Sequence, residues 1–228
     1  MQPYVFPYIG YFQLINAVDE FIIYDDVNYI NKGWINRNNI LVAGKESLFS
    51  IPLKGASQNK KIRDIFTENK TIWAGKLLKS ITYSYKKAPY FEEVFPLLEA
   101  MAGDEVTEPV SVFNMRNIQA VSNYLGITTK LIPSSTIFNN EVLKGQYRII
   151  DICKQSGADH YINPPGGISL YEPELFEQQN IKLNFLKTKP VSYKQFSNQF
   201  VPDLSMIDVL MFNSKTEIAE KLLQYELL

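Results

Sequence analysis

FIIYDD, residues Phe21 to Asp26, is the stretch on which the fold reading turns. It is a short continuous run of β-formers that ends on two carboxylates. Such a run reads as a strand buried on both faces, as in a parallel sheet. On its N-terminal side, Tyr11 to Val18 reads as a helix with Phe12, Ile15 and Val18 on one face. From Val110 onward the pattern alternates helix and strand. Val110 to Tyr124 is a helix closed by Gly126, TKLIPSS a strand, Lys144 to Ser156 a helix closed by Gly157, and ADHYIN a strand before the turn NPPGG. Glycine serves at such helix ends because the left-handed cap conformation costs it nothing. Leu175 to Gln179 is then a short helix and IKLNFL a further strand. Leu204 to Phe212, with Asp203 as N-cap, and Thr216 to Leu227 read as closing helices. The alternation predicts an α/β fold: a Rossmann-like parallel sheet flanked by helices.

LFSIPL, Leu48 to Leu53, is another strand. Trp73 to Ser84 and Phe91 to Met101 are helical in period, and Gly103 and Asp104 stop the second. The stretch from about 62 to 102 is therefore expected to be a mostly helical insert or subdomain within one α/β domain spanning 1–228.

With 228 residues and 46% hydrophobic content, the chain has enough apolar material for one sizeable core. The 23 basic and 24 acidic residues argue against broad binding of nucleic-acid backbone, which needs a basic excess. A lone cysteine, Cys153, cannot close an internal disulfide, so a reducing cytoplasm is the expected location. Cys153 lies in the apolar-periodic stretch RIIDICKQ, where a buried inert thiol is expected. A lone histidine, His160, excludes a histidine-rich metal site, and no metal is expected. No apolar run approaches the roughly 18 residues that span a bilayer.

In an open α/β sheet, ligands lie beyond the C-terminal ends of the strands. Three such ends carry polar groups: Asp25 and Asp26; Pro133, Ser134 and Ser135; and Asn163, Pro164, Pro165, Gly166 and Gly167. The same residue types also make ordinary turns. In NPPGG the glycines let backbone N–H groups approach an anion.

At the start of the chain, PYIGY resembles the HxGH element of adenylate-forming nucleotidyltransferases, with Tyr8 and Tyr11 in place of both histidines around Gly10. Tyrosine can donate a hydrogen bond to phosphate but carries no positive charge at neutral pH. Alternatively, these rings pack a helix onto the sheet. The next segment, DDVNYINKGWINRN, has little apolar periodicity. Tyr29 and Trp34 can stack on a base or sugar, Arg37 can clamp a phosphate or carboxylate, and Asn36 stands beside it. A solvated loop is the plainer reading. NKKIR, Asn59 to Arg63, adds cations suited to polyphosphate or simply a basic surface.

Taken together, the run from Met1 to Asn38, then FSIPL, GADHYINPPGG with LYEPELF, and FVPDLSMIDVLMFN closely resemble the WbqC-like protein family over residues 1 to about 213. Members usually begin a few residues earlier, with a strand leading into MQPY, so the first strand is expected to be shortened here. The resemblance implies a role in bacterial surface-polysaccharide (O-antigen) biosynthesis. The activity it implies is transfer of an acyl or aminoacyl group to the amine of a nucleotide-linked sugar, with ATP as the candidate cofactor. The expected site joins Gln2, Tyr4, Tyr8, Gly10, Tyr11 and Gln13 to Asp25, Asp26, Tyr29, Trp34, Asn36 and Arg37. Asn163, Gly166 and Gly167 form the opposite wall. Asp26, or failing it Asp25, is expected to be the base or amine anchor, and Tyr8, Tyr11 and Arg37 the phosphate ligands. A non-catalytic carbohydrate- or nucleotide-binding module of an assembly complex suits the same residues.

Overall fold

The computed structural model describes residues 1–102, 107–196 and 199–228. The helix-stop reading at Gly103 and Asp104 lies outside the described residues. The chain is mixed α/β. Its strands are short and, among the described residues, pair in four small sheets. β1 (Glu20–Ile22) lies parallel to β6 (Lys130–Ile132), with Phe21 opposite Leu131. β7 (His160–Asn163) lies parallel to β8 (Lys182–Thr188), whose other edge carries β9 (Tyr225–Leu227) antiparallel. β2 (Arg37–Val42) and β3 (Lys45–Ser50) form a hairpin, and β4 (Leu53–Lys54) pairs with β5 (Phe66–Thr67). The parallel pairing expected of FIIYDD and ADHYIN is present, but as two separate pairs.

α1 (Ile9–Asn16) is buried from Ile9 through Ile15, and α7 (Met206–Phe212) along its whole length. Helices so apolar on every side must be enclosed. Around them pack Phe21 and Ile23, Trp73 and Tyr85 of α2 (Lys70–Tyr85), and Val94 and Leu98 of α3 (Phe91–Ala102). Phe113 of α4 (Val110–Leu125) joins the same core. The 62–102 stretch holds a 3-10 turn (Ile62–Asp64), β5, α2 and α3, and both helices feed this main core.

A second cluster joins Tyr29, Ile35, Ile62, Ile65 and Val110. It qualifies the reading of 25–38 as a segment with little apolar periodicity to bury: Tyr29 and Ile35 are core residues here. A third joins Ile150 and Cys153 of α5 (Gly145–Ser156) to Phe176 of α6 (Pro173–Glu177) and Ile181. Cys153 is buried there, and burial pushes its thiol up to about 11.

α4 and α5 end on left-handed Gly126 and Gly157, φ 73° and 66°, as the sequence predicts. Ser205 rather than Asp203 caps α7, accepting from the Ile207 amide, while Asp203 sits at φ 56°. α8 (Lys215–Leu222) is opened by a Ser214–Glu217 capping box and ends well before Leu227. The expected helical end is instead β9, because the free edge of β8 offers it a ladder.

Candidate functional site

β1 and β6 run in the same direction, so Asp25–Asp26 and Ser134–Ser135 emerge side by side beyond their C-terminal ends. Ser134 Oγ donates to Asp25 Oδ1 at 2.7 Å, and Ser135 Oγ to Asp26 Oδ1 at 2.6 Å. The guanidinium of Arg148, from α5, donates to Asp26 Oδ2 and forms a buried ion pair with it. Arg148 also donates from Nε to Asn140 Oδ1 at 2.9 Å and lies over the Tyr24 ring, 4.9 Å from its centroid. Asn140 in turn donates to Asp151 at 2.7 Å. Ser111, at the start of α4, also hydrogen-bonds Asp25.

The two neighbouring carboxyls are pushed in opposite directions. Burial raises Asp25 above the ordinary carboxylate range, against its hydrogen bonds from Ser134 and Ser111. Burial also opposes charge on Asp26. Hydrogen bonds from Arg148 and Ser135, with the charges of Arg148 and Arg63, outweigh it and hold Asp26 below that range.

A second feature is the chain from Gln2 to Tyr8. Its carbonyls are gripped from inside. Tyr11 Oη donates to Gln2 O at 2.9 Å, and Asn114 Nδ2 to Pro3 O at 3.0 Å. Asn38 Nδ2 reaches Val5 O and Phe6 O, Ser205 Oγ reaches Phe6 O at 2.7 Å, and the Met206 amide reaches Pro7 O at 2.9 Å. Phe6 is held at φ 40°, left-handed backbone that a bulky residue rarely adopts.

Several expected ligands are spent on the fold itself. Tyr11 is buried, and its hydroxyl serves Gln2, so it does not face a phosphate. Gln13 is buried and donates to Lys221 O and Gln224 O, closing the end of α8. Tyr29 is buried and donates to Asn36 Oδ1 at 2.8 Å, and Asn36 Nδ2 donates to Ile51 O. Arg37 opens β2 and turns back on its own loop, donating to Gly33 O at 3.0 Å and to Lys32 O. Tyr8, Asp26 and Arg37 are thus engaged in three different local networks. Tyr8 is partly exposed and hydrogen-bonds Thr188 at the end of β8. Tyr4 packs against Tyr11 with the rings tilted at 46° and their centroids 5.6 Å apart, and Gln2 contributes its carbonyl to the Tyr11 hydroxyl. Trp34 stands 45% exposed, free to stack on a planar or sugar ring.

A Cβ on Gly10 would lie 2.5 Å from the Tyr8 ring and 2.6 Å from Thr188 Oγ1, so the space above this glycine is filled by the protein's own groups. In the NPPGG turn, Gly166 has open space and Gly167 has none. A Cβ on Gly167 would meet Asn163 Nδ2 at 1.8 Å. Asn163 accepts from Tyr161 Oη at 3.2 Å. Among the described residues no group of three or more His, Cys, Asp or Glu side chains is placed to hold a metal. A surface cavity of about 370 Å3 lies at the other, N-terminal end of β8, lined by Pro173, Glu177, Asn180, Ile181, Lys182 and Leu183.

Arg148 was legible in principle. It falls four residues before Ile152 on the buried face of α5, where a cation is out of place. The tertiary partners of Asn140, Asn38, Asn114 and Ser111 left no such mark.

The WbqC-like protein family model matches residues 2–220. An uncharacterized protein of Mycobacterium tuberculosis (strain ATCC 25618 / H37Rv) is 31% identical over 219 residues, covering 95% of this chain and 93% of that protein. No solved structure matches the chain.

Proposed function

The chain belongs to the WbqC-like protein family, and from that premise we propose that it is a transferase of bacterial surface-polysaccharide (O-antigen) biosynthesis. It binds a nucleotide-linked amino sugar in the cytoplasm and moves an acyl or aminoacyl group onto the sugar amine. The two parallel strand pairs belong to a Rossmann-like arrangement within one α/β domain, with 62–102 as its helical insert. One observation carries the reading: two adjacent carboxyls at one strand end have unlike partners, Asp26 a buried ion pair with Arg148 and Asp25 the Ser134 hydroxyl, which displaces their pKa values in opposite directions. Such a split separates an acid–base group from a permanently charged one.

In this reading the base is Asp25 rather than Asp26. A raised pKa brings a carboxylate closer to the task of taking a proton from an amine. Asp26, held ionised by Arg148 and Ser135, fixes the local field. The amine nitrogen forms a bond to the activated carbonyl carbon, the bond from that carbon to its leaving group breaks with the electron pair, and Asp25 takes the amine proton. ATP would supply the activation of the acid, with the AMP or phosphate it attaches as the leaving group; Trp34 stacks on the base or sugar, and the Asn163–Gly167 turn walls the opposite side.

The burial of both carboxyls, at 4% and 0% exposure, favours a second reading as a non-catalytic carbohydrate- or nucleotide-binding module. One experiment separates the two. The protein is incubated with a nucleotide-linked amino sugar, ATP and a panel of small acids, and the sugar is weighed by mass spectrometry. A mass increase that Asp25→Asn abolishes supports the transferase. Binding without turnover across the panel supports the module.

A further inference from the structure

We infer that Arg63 is the anion end of this site, a subsite for the diphosphate of a nucleotide-linked ligand that is occupied in the structure by the carboxylate of Glu141. The inference rests on the proposed nucleotide-sugar reading and names where its phosphates go.

The segment Lys60–Arg63 runs antiparallel to Asp25–Tyr29. Tyr29 N donates to Lys60 O at 2.9 Å, Ile62 N to Val27 O at 3.0 Å, and Arg63 N to Asp25 O at 3.0 Å. Asn28 and Lys61 pair directly between them. This ladder pins the Arg63 backbone to the carboxylate pair, and the guanidinium is near enough to help hold Asp26 ionised.

The two arginines around Asp26 are differently committed. Arg148 is only 4% exposed and is spent on Asp26 and Asn140. Arg63 keeps 33% of its side chain exposed, and its close partner is Glu141, with Nη1 to Oε1 at 3.1 Å. Asp64 stands farther off, 3.8 Å from Nε. Glu141 is itself 43% exposed. An exposed ion pair of this kind is weak because water competes for both charges. A phosphate bonds a guanidinium bidentately and carries more charge than a carboxylate, so it displaces Glu141 readily.

The mounting of Glu141 suits such an exchange. It follows Asn140, which is buried and held by Arg148 and Asp151, so the chain stays anchored when the Glu141 side chain leaves. Left-handed Asn139 and Gly145, φ 50° and 54°, bracket the segment. Lys61, half-buried on the same ladder, adds a second cation.

The test is calorimetric titration of the full chain with inorganic pyrophosphate and with uridine diphosphate, using uridine as the uncharged control. Glu141→Gln releases Arg63 and is expected to tighten pyrophosphate binding about three- to fivefold at low salt. Arg63→Ala is expected to weaken it about tenfold. Uridine binding stays unchanged in both. Pyrophosphate affinity that moves in neither variant, or that moves in the same direction in both, overturns the subsite. Its failure is distinguishable from failure of the transferase reading. Turnover that depends on Asp25 but is indifferent to Arg63→Ala sinks the subsite alone. Arg63-dependent pyrophosphate binding with no turnover for any acid sinks the transferase alone.

Discussion

Asn38 bridges the carbonyls of Val5 and Phe6 with one amide group, at 3.0 and 2.7 Å, from a position 33 and 32 residues away in sequence. The bridge fastens the first strand of the hairpin, β2, to the tyrosine-rich start of the chain. Phe6 is the point of strain, and a bulky residue at positive φ costs about 1–3 kcal/mol unless its surroundings enforce it. Asn38 and Ser205 supply that enforcement together. The opening loop is therefore built as a fixed surface, and the fold surrenders several polar side chains to fix it.

Asn38→Ala is expected to cost about 1–3 kcal/mol in urea denaturation, because the buried Val5 carbonyl loses its side-chain donor. Ser205→Ala removes the second bond to Phe6 O. Since both donors share that acceptor, the double variant should depart from the sum of the singles by more than about 0.5 kcal/mol. Strict additivity would show that the two side chains do not jointly hold Phe6.

Gly10→Ala reverses the usual preference for alanine within a helix. A methyl group there meets the Tyr8 ring and the Thr188 hydroxyl well inside contact distance. The expected loss is about 1–3 kcal/mol, typical of overpacking. Tyr8→Ala in the same chain should recover part of it, leaving the Thr188 contact. A Gly10→Ala protein as stable as the parent would mean that the ring swings away freely.

Arg148→Met strands the buried charge of Asp26 and is expected to cost about 3–5 kcal/mol near neutral pH. The pH dependence follows from the sign of the shift. The folded pKa of Asp26 is depressed, so its contribution is complete above the unfolded value of about 3.9 and is lost as the pH falls through the folded value. Arg148→Met removes that acid-side loss, since Asp26 now gains from protonation. Denaturation curves across about pH 3 to 7 measure it, and parallel curves for parent and variant would refute the pairing.

The helices and strands were legible where one segment's own pattern decides them. α4 and α5 carry their apolar faces and their glycine stops in sequence. β9 was not legible, because Tyr225–Leu227 has a helix-former's composition and becomes a strand only against β8. The site was half legible. Asp25, Asp26, Ser134 and Ser135 stand at strand ends, where the α/β pattern directs attention. Tyr11, Gln13, Tyr29, Asn36 and Arg37 have the chemistry of ligand contacts, yet all five bond to the protein itself. A polar side chain looks the same in sequence whether it meets a phosphate or a carbonyl from a distant segment. The partner of Gln13, for instance, is 208 residues away.

Asp208 provides the last test, because its electrostatics run opposite to those of Asp26. It is the lone charge in the apolar run of α7 and is fully buried. Tyr85 Oη donates to its Oδ1 at 2.9 Å, while Tyr193 Oη and Gln195 Nε2 donate to Oδ2 at 2.7 and 2.8 Å. Tyr85 Oη also accepts from the Leu41 amide at 2.8 Å, which leaves its proton for the Asp208 carboxylate. Burial raises the Asp208 pKa despite these three donors, and no cation pairs with it among the described residues. With the folded pKa raised, its contribution to stability is complete below the unfolded value of about 3.9 and is lost as the pH rises through the folded value. Asp208→Asn keeps the shape and removes the titration. The variant should therefore lose most, relative to the parent, at acid pH and least near neutrality, and Tyr193→Phe, which removes a donor that favours the ionised carboxylate, should steepen the parent's loss of stability toward neutral pH. A gap between parent and Asp208→Asn that widens toward neutral pH would mean that the carboxylate is stabilised in its charged form, and that the three donors outweigh its burial.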